Sequence, residues 1–408
     1  MDKKNYSALI AVLISTTIYS LTENSWFNSW LKGIVGGSDF DVTVMASLSA
    51  VFGAIFFIIW GAVSDNIRSK WGRRKPLLVI GLVASAIVVF AFIAVKNILW
   101  CIIIDGIILS IFSNMFWANR HAIVPDLTEI HERGKINSVL FIFGGIGGLA
   151  ITIIEIWAPY ENGYFSERAH LMVITICVLS LLFSAIWVAF TLHESPNEFF
   201  PPPRNWIHDL RAIFDLNELK SHQEFYKLLI ALIILASARY AYFPLYIIFR
   251  QEMGFNSLQK SLYFVGMGLG TVLGTVLLPK YSDQFGRKKV MLFTIPFALI
   301  GLILCPFTPY NFVFFFIGNF LLFFGFEGMM RLQEVWGQDL ADEDARGKFL
   351  GIFNLSQSVG RVPGALLAGW FAGIFGTSVI FITASIFVIA ALPILIRVKD
   401  RVVGIDSN

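Results

Sequence analysis

Gly61-Ala62-Val63-Ser64-Asp65-Asn66-Ile67-Arg68-Ser69-Lys70-Trp71-Gly72-Arg73-Arg74-Lys75 follows one apolar run of the chain. Pro279-Lys280-Tyr281-Ser282-Asp283-Gln284-Phe285-Gly286-Arg287-Lys288-Lys289 follows another. In each, Ser-Asp is followed by a Gly-Arg start to a basic cluster. Gly72 and Gly286 are offset by 214 residues, whereas Asp65 and Asp283 are offset by 218, so the first loop carries four extra residues. A second pair repeats nearby. Pro125-Asp126-Leu127 leads to Arg133-Gly134-Lys135, and Gln338-Asp339-Leu340 leads to Arg346-Gly347-Lys348, with Asp126 and Asp339 offset by 213. Two loops repeating in matching places divide the chain into related halves.

The runs between these loops set the class. Hydrophobic residues make up 56% of the 408-residue chain and charged residues 14%, too little polar surface for a soluble protein of this length. Apolar runs of about 20 residues recur from end to end, long enough to cross about 30 Å of hydrocarbon as helix. Spans are expected at 8–31, 40–62, 76–95, 98–120, 136–157 and 170–192, then 226–249, 258–279, 289–307, 310–330, 349–374 and 376–396. The expected fold is all-α and integral to the membrane, with twelve transmembrane helices in two pseudo-symmetric six-helix bundles, 1–193 and 226–408. The first run is too long for a signal h-region and lacks a small-residue cleavage site, so it is expected to be a retained span.

Basic residues orient the chain. With both termini cytoplasmic, about 24 of the 31 Lys and Arg fall on the inner side and about five outside. The chain is thus expected to be multi-pass in the cell membrane. Residues 194–225 interrupt the pattern with three consecutive prolines, then a stretch alternating apolar and charged residues. They read as a cytoplasmic linker with an amphipathic surface helix.

With the loops placed between numbered spans, the chain resembles the major facilitator superfamily. The G-x-x-x-D…G-R-R-K stretch between spans two and three resembles that family's signature loop. A weaker copy follows span eight, and D…R-G-K loops follow spans four and ten. The longer first loop, S-D-x-x-x-S-x-W-G-R-R-K-P, is similar to that of the glycoside–cation symporters and proton-coupled sucrose transporters. Sodium-coupled members of the glycoside group carry acidic residues in the second span; residues 42–59 contain none. That puts sodium in doubt and leaves the proton as the expected coupling ion.

Asp65 and Asp283 lie at the inner ends of even-numbered spans, where a carboxylate can cap a helix N-terminus or pair with Arg. Breaking such pairs would bias a two-state element of the kind alternating access requires. The expected gating set is Gly61, Asp65, Gly72, Arg73, Asp126 and Arg133, with Asp283, Gly286, Arg287, Asp339 and Arg346. The alternative, that basic clusters only fix topology, accounts for Lys70, Arg74, Lys288 and Lys289 but not for the paired spacing. Glu327, Arg331 and Glu334 share one face at i, i+4 and i+7 and are expected to form an inner gate network.

Charges within spans are costly and mark candidate function. Glu23, Asp105, Glu155, Arg239 and Arg361 are such residues. The family resemblance implies that spans 1, 4, 7 and 10 line a cavity, across which Glu23 and Arg239 would face each other. Three roles stay open for that pair: proton coupling through Glu23, a permanent structural ion pair, or direct substrate binding. Arg361, in Ser358-Val359-Gly360-Arg361-Val362-Pro363-Gly364, requires a partner or an anionic ligand. Glu155 and Asp105 are shallower, and a hydrated outer vestibule is expected to suffice for them.

Sugar sites combine aromatic platforms with amide and carboxylate partners. Asn24, Trp26, Asn114, Trp117, Tyr242, Asn354 and Gln357 are the candidates, with Tyr240 and Tyr246 on the same span as Tyr242. Aromatics that face lipid are the plainer alternative, since they make up 15% of the chain. Gly266-Met267-Gly268-Leu269-Gly270 and Gly144-Gly145-Ile146-Gly147-Gly148 look like phosphate loops but sit inside apolar spans, where they read as packing faces. Cys101, Cys177 and Cys305 read as small buried hydrophobes. The six histidines show no H-x-x-x-H pair, and no metal site, cofactor or nucleophile–base arrangement is expected.

The net charge of +3 says little about partners. Those expected are a small-molecule substrate and the bilayer, without nucleic acid, for a chain acting as a monomer. The leading expectation is not an enzyme but a proton-coupled symporter of a small polar solute, such as a sugar or glycoside, working by alternating access. The alternatives are an exporter or carrier of organic anions or amphipathic molecules, and a non-transporting membrane sensor or scaffold.

Overall fold

The computed structural model describes residues 2–128, 130–194, 223–340 and 346–399. Most of the expected linker lies outside them, as do the side chains of Arg133, Arg346 and Asn354. Hydrocarbon offers no hydrogen-bond partners, so apolar runs must satisfy their backbone internally, as helix. The chain does so. In the first half the helices are α1 (Lys3–Gly33), α2 (Asp39–Asn66), α3 (Lys75–Ile93), α4 (Ile98–Leu127), α5 (Ile130–Trp157) and α6 (Glu167–Thr191). In the second they are α7 (Gln223–Glu252), α8 (Ser257–Phe285), α9 (Arg287–Phe307), α10 (Phe312–Leu340), α11 (Arg346–Phe375) and α12 (Val379–Arg397). Eleven of them carry a full-length apolar span; α5 carries a shorter apolar stretch, Ile142–Trp157. Most of the helices outrun the expected spans by a few residues at one end or both, because polar helix ends project beyond the hydrophobic stretch.

The chain divides between α6 and α7 into two compact units. The end of each unit bearing the Arg73 or Arg287 loop is called its basic end, and the opposite end its far end. At the far ends, helices start on side-chain caps. Ser38, Asn97, Ser166 and Asn256 accept from the backbone N–H groups of Asp41, Trp100, Ala169 and Gln259. Each cap satisfies a donor that the first turn leaves without an intrahelical acceptor.

The outer surface, unlike that of a soluble protein, is largely apolar, as the core is. Ile87, Phe90, Phe183, Phe190, Val272, Val276 and Phe293 are more than half exposed, as lipid-facing side chains are. Small residues bring helices together. A Cβ on Gly270 or Gly274 would overlap the carbonyls of Phe320 or Phe324, and one on Gly147 would overlap that of Ile14. Both glycine-rich runs are therefore packing faces.

Three local departures from α geometry matter below. Thr22–Phe27 within α1 and Ile104–Leu109 within α4 are π turns. Phe243–Leu245, with Pro244, is a 3-10 turn within α7. Between α5 and α6 a short hairpin pairs Tyr160–Glu161 with Tyr164–Phe165 around Asn162 and Gly163, both at positive φ. Such a turn suits Asn-Gly.

Each unit is also fastened start to finish. The Asn5 amide donates to the His193 carbonyl at 2.8 Å and accepts from the His193 N–H at 2.7 Å. The Glu224 carboxylate accepts from the Lys399 N–H at 2.6 Å.

Candidate functional site

At the basic end of the first unit, the repeated loop closes into a charge cluster. Arg73 donates to Asp126 at 2.6 Å, and Arg74 to Asp126 at 3.1 Å. Arg74 also binds Asp65 and Ser64. The loop thus ties the end of α2 to the end of α4. Arg74, expected to serve topology alone, is as fully engaged as Arg73. Gly61 has no such part: a Cβ there would meet nothing within 4 Å.

Glu194 was not anticipated. Its carboxylate accepts from the backbone N–H groups of Arg73 and Arg74, at 2.9 and 3.0 Å, and from that of Lys75. A carboxylate at a helix N-terminus meets both the free donors and the positive end of the helix dipole. Gly72 makes room for it, since its φ is +101° and a Cβ would overlap the Glu194 carboxyl. Replacing Glu194 by Ala is expected to lower the apparent melting temperature in detergent, at a cost of about 0.5–2 kcal/mol, the range for a lost N-terminal cap. An unshifted melting curve would show that the cap adds nothing.

The second unit repeats the cluster. Arg287 donates to Asp339 at 2.8 Å and pairs with Asp283, and its guanidinium also donates to Ser282 at 2.6 Å. Gly286 takes φ +92° at the turn. The expected residues are therefore brought together in both copies, apart from Gly61 and from Arg133 and Arg346, whose side chains are not described.

Nearer the far end of the first unit, two carboxylates come within range of each other's charge. Glu23 lies in the π turn of α1, and Asp105 in that of α4. The Ser49 hydroxyl, on α2, donates to Glu23 at 3.0 Å. Gly106 lets α4 close on α2, since a Cβ there would lie 2.8 Å from that of Leu48. Glu23 and Asp105 feel each other's charge, and both act on the Tyr19 phenol. Asp105 is only 3% exposed, and its Oδ1 has no hydrogen-bond partner among the described residues. The expected hydrated vestibule is thus corrected for Asp105, and also for Glu155, which is 5% exposed.

The second unit holds the cations. The carboxylate partner of Arg239 is Glu327, at 2.7 Å, and the guanidinium also lies over the Phe243 ring. Arg239 thus has a partner within its own unit, and one expectation is corrected: Glu327 pairs with Arg239 rather than joining Arg331 and Glu334. Those two pair with each other at 3.1 Å nearer the basic end of α10. Glu327 is reached from α7 because it stands midway along α10, as Arg239 does along α7. Arg361, midway along α11, lies over the Tyr240 ring at 4.6 Å.

The aromatic candidates divide. Trp26 is fully buried, stacked on Phe165 at 4.5 Å and edge-on to His170. It anchors the interhelical hairpin and is corrected from a substrate platform to a packing residue. Tyr242 is likewise core, enclosed by Tyr246, Phe326 and Phe381. Asn24 donates to the Ser20 carbonyl and Asn114 to that of Ser110, each within its own helix. Trp117 is half-buried and stacks under Arg120 at 4.7 Å. Gln357 faces Gln333 at 3.5 Å.

Paired signature loops and ionised residues buried midway along helices define a membrane transport protein of the duplicated six-helix kind. The sequence model of the Major Facilitator Superfamily matches residues 8–330 and 228–405, and the chain belongs to that family of transporters. A multidrug resistance protein MdtH of Yersinia pestis (strain Pestoides F) is 22% identical over 321 residues, 77% of this chain and 73% of its own. Among solved structures, the nucleoside transporter NupG is similar with a TM-score of 0.73 at 15% identity, covering 98% of this chain and 100% of its own. A D-xylose–proton symporter is similar with a TM-score of 0.71 at 15% identity, covering 96% of both chains. At these identities the structural likeness shows the fold.

Proposed function

We propose that this protein is a proton-coupled symporter of a small polar solute such as a sugar or glycoside, working by alternating access with its basic ends cytoplasmic. The observation that carries the reading is the Glu23–Asp105 pair. A buried carboxylate within range of a second carboxylate's charge is repelled by it unless a proton or cation offsets one of the two. A protein that seats them on two π turns, a feature common at functional sites, holds a place for one. The longer first loop supports the glycoside–cation branch, and the symport activity in the printed name of the D-xylose–proton symporter agrees with it.

A second reading has an observation of its own. The relative named for multidrug resistance favours export, in which the same proton site would drive solute outward. Gradient-driven flux decides between them. In proteoliposomes with an imposed pH gradient, the symport reading expects sugars to accumulate with the proton flow. Accumulation against it supports export. Flux that follows a sodium gradient and ignores pH would replace the proton by sodium at the carboxylate pair.

A further inference from the structure

The second unit carries one more positive charge midway along its spans than its own carboxylates offset. Arg239, Glu327 and Arg361 are each near the middle of α7, α10 and α11. Arg239 and Glu327 form an ion pair at 2.7 Å and cancel. Arg361 has no carboxylate within ion-pair distance among the described residues, and its buried Nε has no hydrogen-bond acceptor. A guanidinium left so within hydrocarbon depth is costly and marks a site that something else completes.

Its surroundings are built to hold it there. Gly360 and Gly364 flank Arg361, and a Cβ on either would overlap the carbonyls of Ile233 or Ser237 on α7. The Ser237 hydroxyl donates to the Gly360 carbonyl at 2.8 Å, fixing α11 against α7 at this level. The guanidinium lies over the Tyr240 ring, its Cζ 4.6 Å from the ring centre. The ring offers the cation its π face but accepts none of its in-plane N–H bonds, so the Nε left without an acceptor among the described residues still calls for one. One turn away on α11, the Gln357 amide faces Gln333, and amides of this kind suit hydroxyl groups.

We propose that Arg361, against Tyr240, binds a carboxylate group on the transported solute, so that the cargo is a hydroxylated acid such as a hexuronate rather than a neutral sugar. One guanidinium matches the single charge of a carboxylate, whereas a phosphate monoester brings close to two. Paired N–H donors meet the two carboxylate oxygens in one plane. The inference rests on reading the chain as a carrier of a small polar solute, and it names the class of that solute.

The test uses the full chain in detergent, titrated with sodium glucuronate against glucose and with sodium galacturonate against galactose, following ligand-induced thermal stabilisation. The acids are expected to stabilise the protein and the neutral sugars not to. Arg361→Gln should weaken acid binding at least tenfold, Arg361→Lys less, and Tyr240→Phe hardly at all. Tyr240→Leu should weaken it while keeping the charge, which guards against an Arg361 variant that fails to fold. Equal binding of neutral sugars, acid binding unchanged in Arg361→Gln, or no acid binding by the native chain would overturn the proposal. Failure of the symport reading looks different: glucuronate binds and depends on Arg361, yet its uptake ignores the pH gradient. Glucose accumulating at full rate in Arg361→Gln would instead sink the carboxylate site and leave symport standing.

Discussion

Replacing Asp105 by asparagine is expected to abolish solute accumulation driven by a pH gradient while leaving solute exchange across the membrane intact. With one proton moved per solute, each unit of pH gradient supports about a tenfold concentration ratio, since one pH unit corresponds to about 1.4 kcal/mol. Asparagine keeps the shape of the protonated acid but cannot release the proton, so the ratio should fall to about one. The native Asp105 has what such a role requires: it is buried, its Oδ1 lacks a partner among the described residues, and it lies within range of the charge of Glu23. Glu23→Gln should have the same effect. Because the two groups act on one proton, the double variant should be no worse than either single one. Accumulation that persists in both single variants would move the coupling site elsewhere, with Glu155 the next buried carboxylate to try.

The second large effect concerns Arg239 and Glu327, joined at 2.7 Å with their side chains 17% and 22% exposed. Removing Arg239 alone leaves Glu327 ionised and unsupported midway along α10. Breaking a buried ion pair from one side costs about 3–5 kcal/mol, and the partial exposure here favours the lower end. Arg239→Leu is therefore expected to lower the melting temperature in detergent sharply and to reduce the yield of folded protein. Arg239→Leu combined with Glu327→Leu should recover most of that stability, because neither charge is then stranded. Losses that simply add in the double variant would show that the two side chains do not support each other.

What sequence reading could reach here follows from what leaves a periodic or repeated trace. The spans were legible because hydrocarbon demands long apolar runs, and the charge clusters because the loops occur twice at nearly constant offset. The identity of Arg239's partner was not. It depends on how α7 and α10 are turned about their own axes, and helices that are apolar nearly all round give little rotational signal. The same ambiguity let Trp26 and Tyr242 pass for cavity residues, although both are enclosed in their own bundles. The π turns leave no composition cue, so the approach of Glu23 to Asp105 left no trace in the sequence. The hairpin that holds Trp26 had a visible sign in Asn162-Gly163, which went unread between two spans. Glu194 offered none, as a carboxylate just past a span looks like any solvated loop residue.

The fastenings at Asn5–His193 and Glu224–Lys399 bear on how a chain of this design arises. A six-helix piece whose first and last turns hold each other brings its two ends to one place. Copies of such a piece can be strung in tandem without either unlacing its neighbour, because the joining segment leaves and enters at points that are already fixed. Duplication then needs no new internal contacts. Each copy is free to drift in its interior, acidic in one and basic in the other, while the ends that allowed the joining stay as they were.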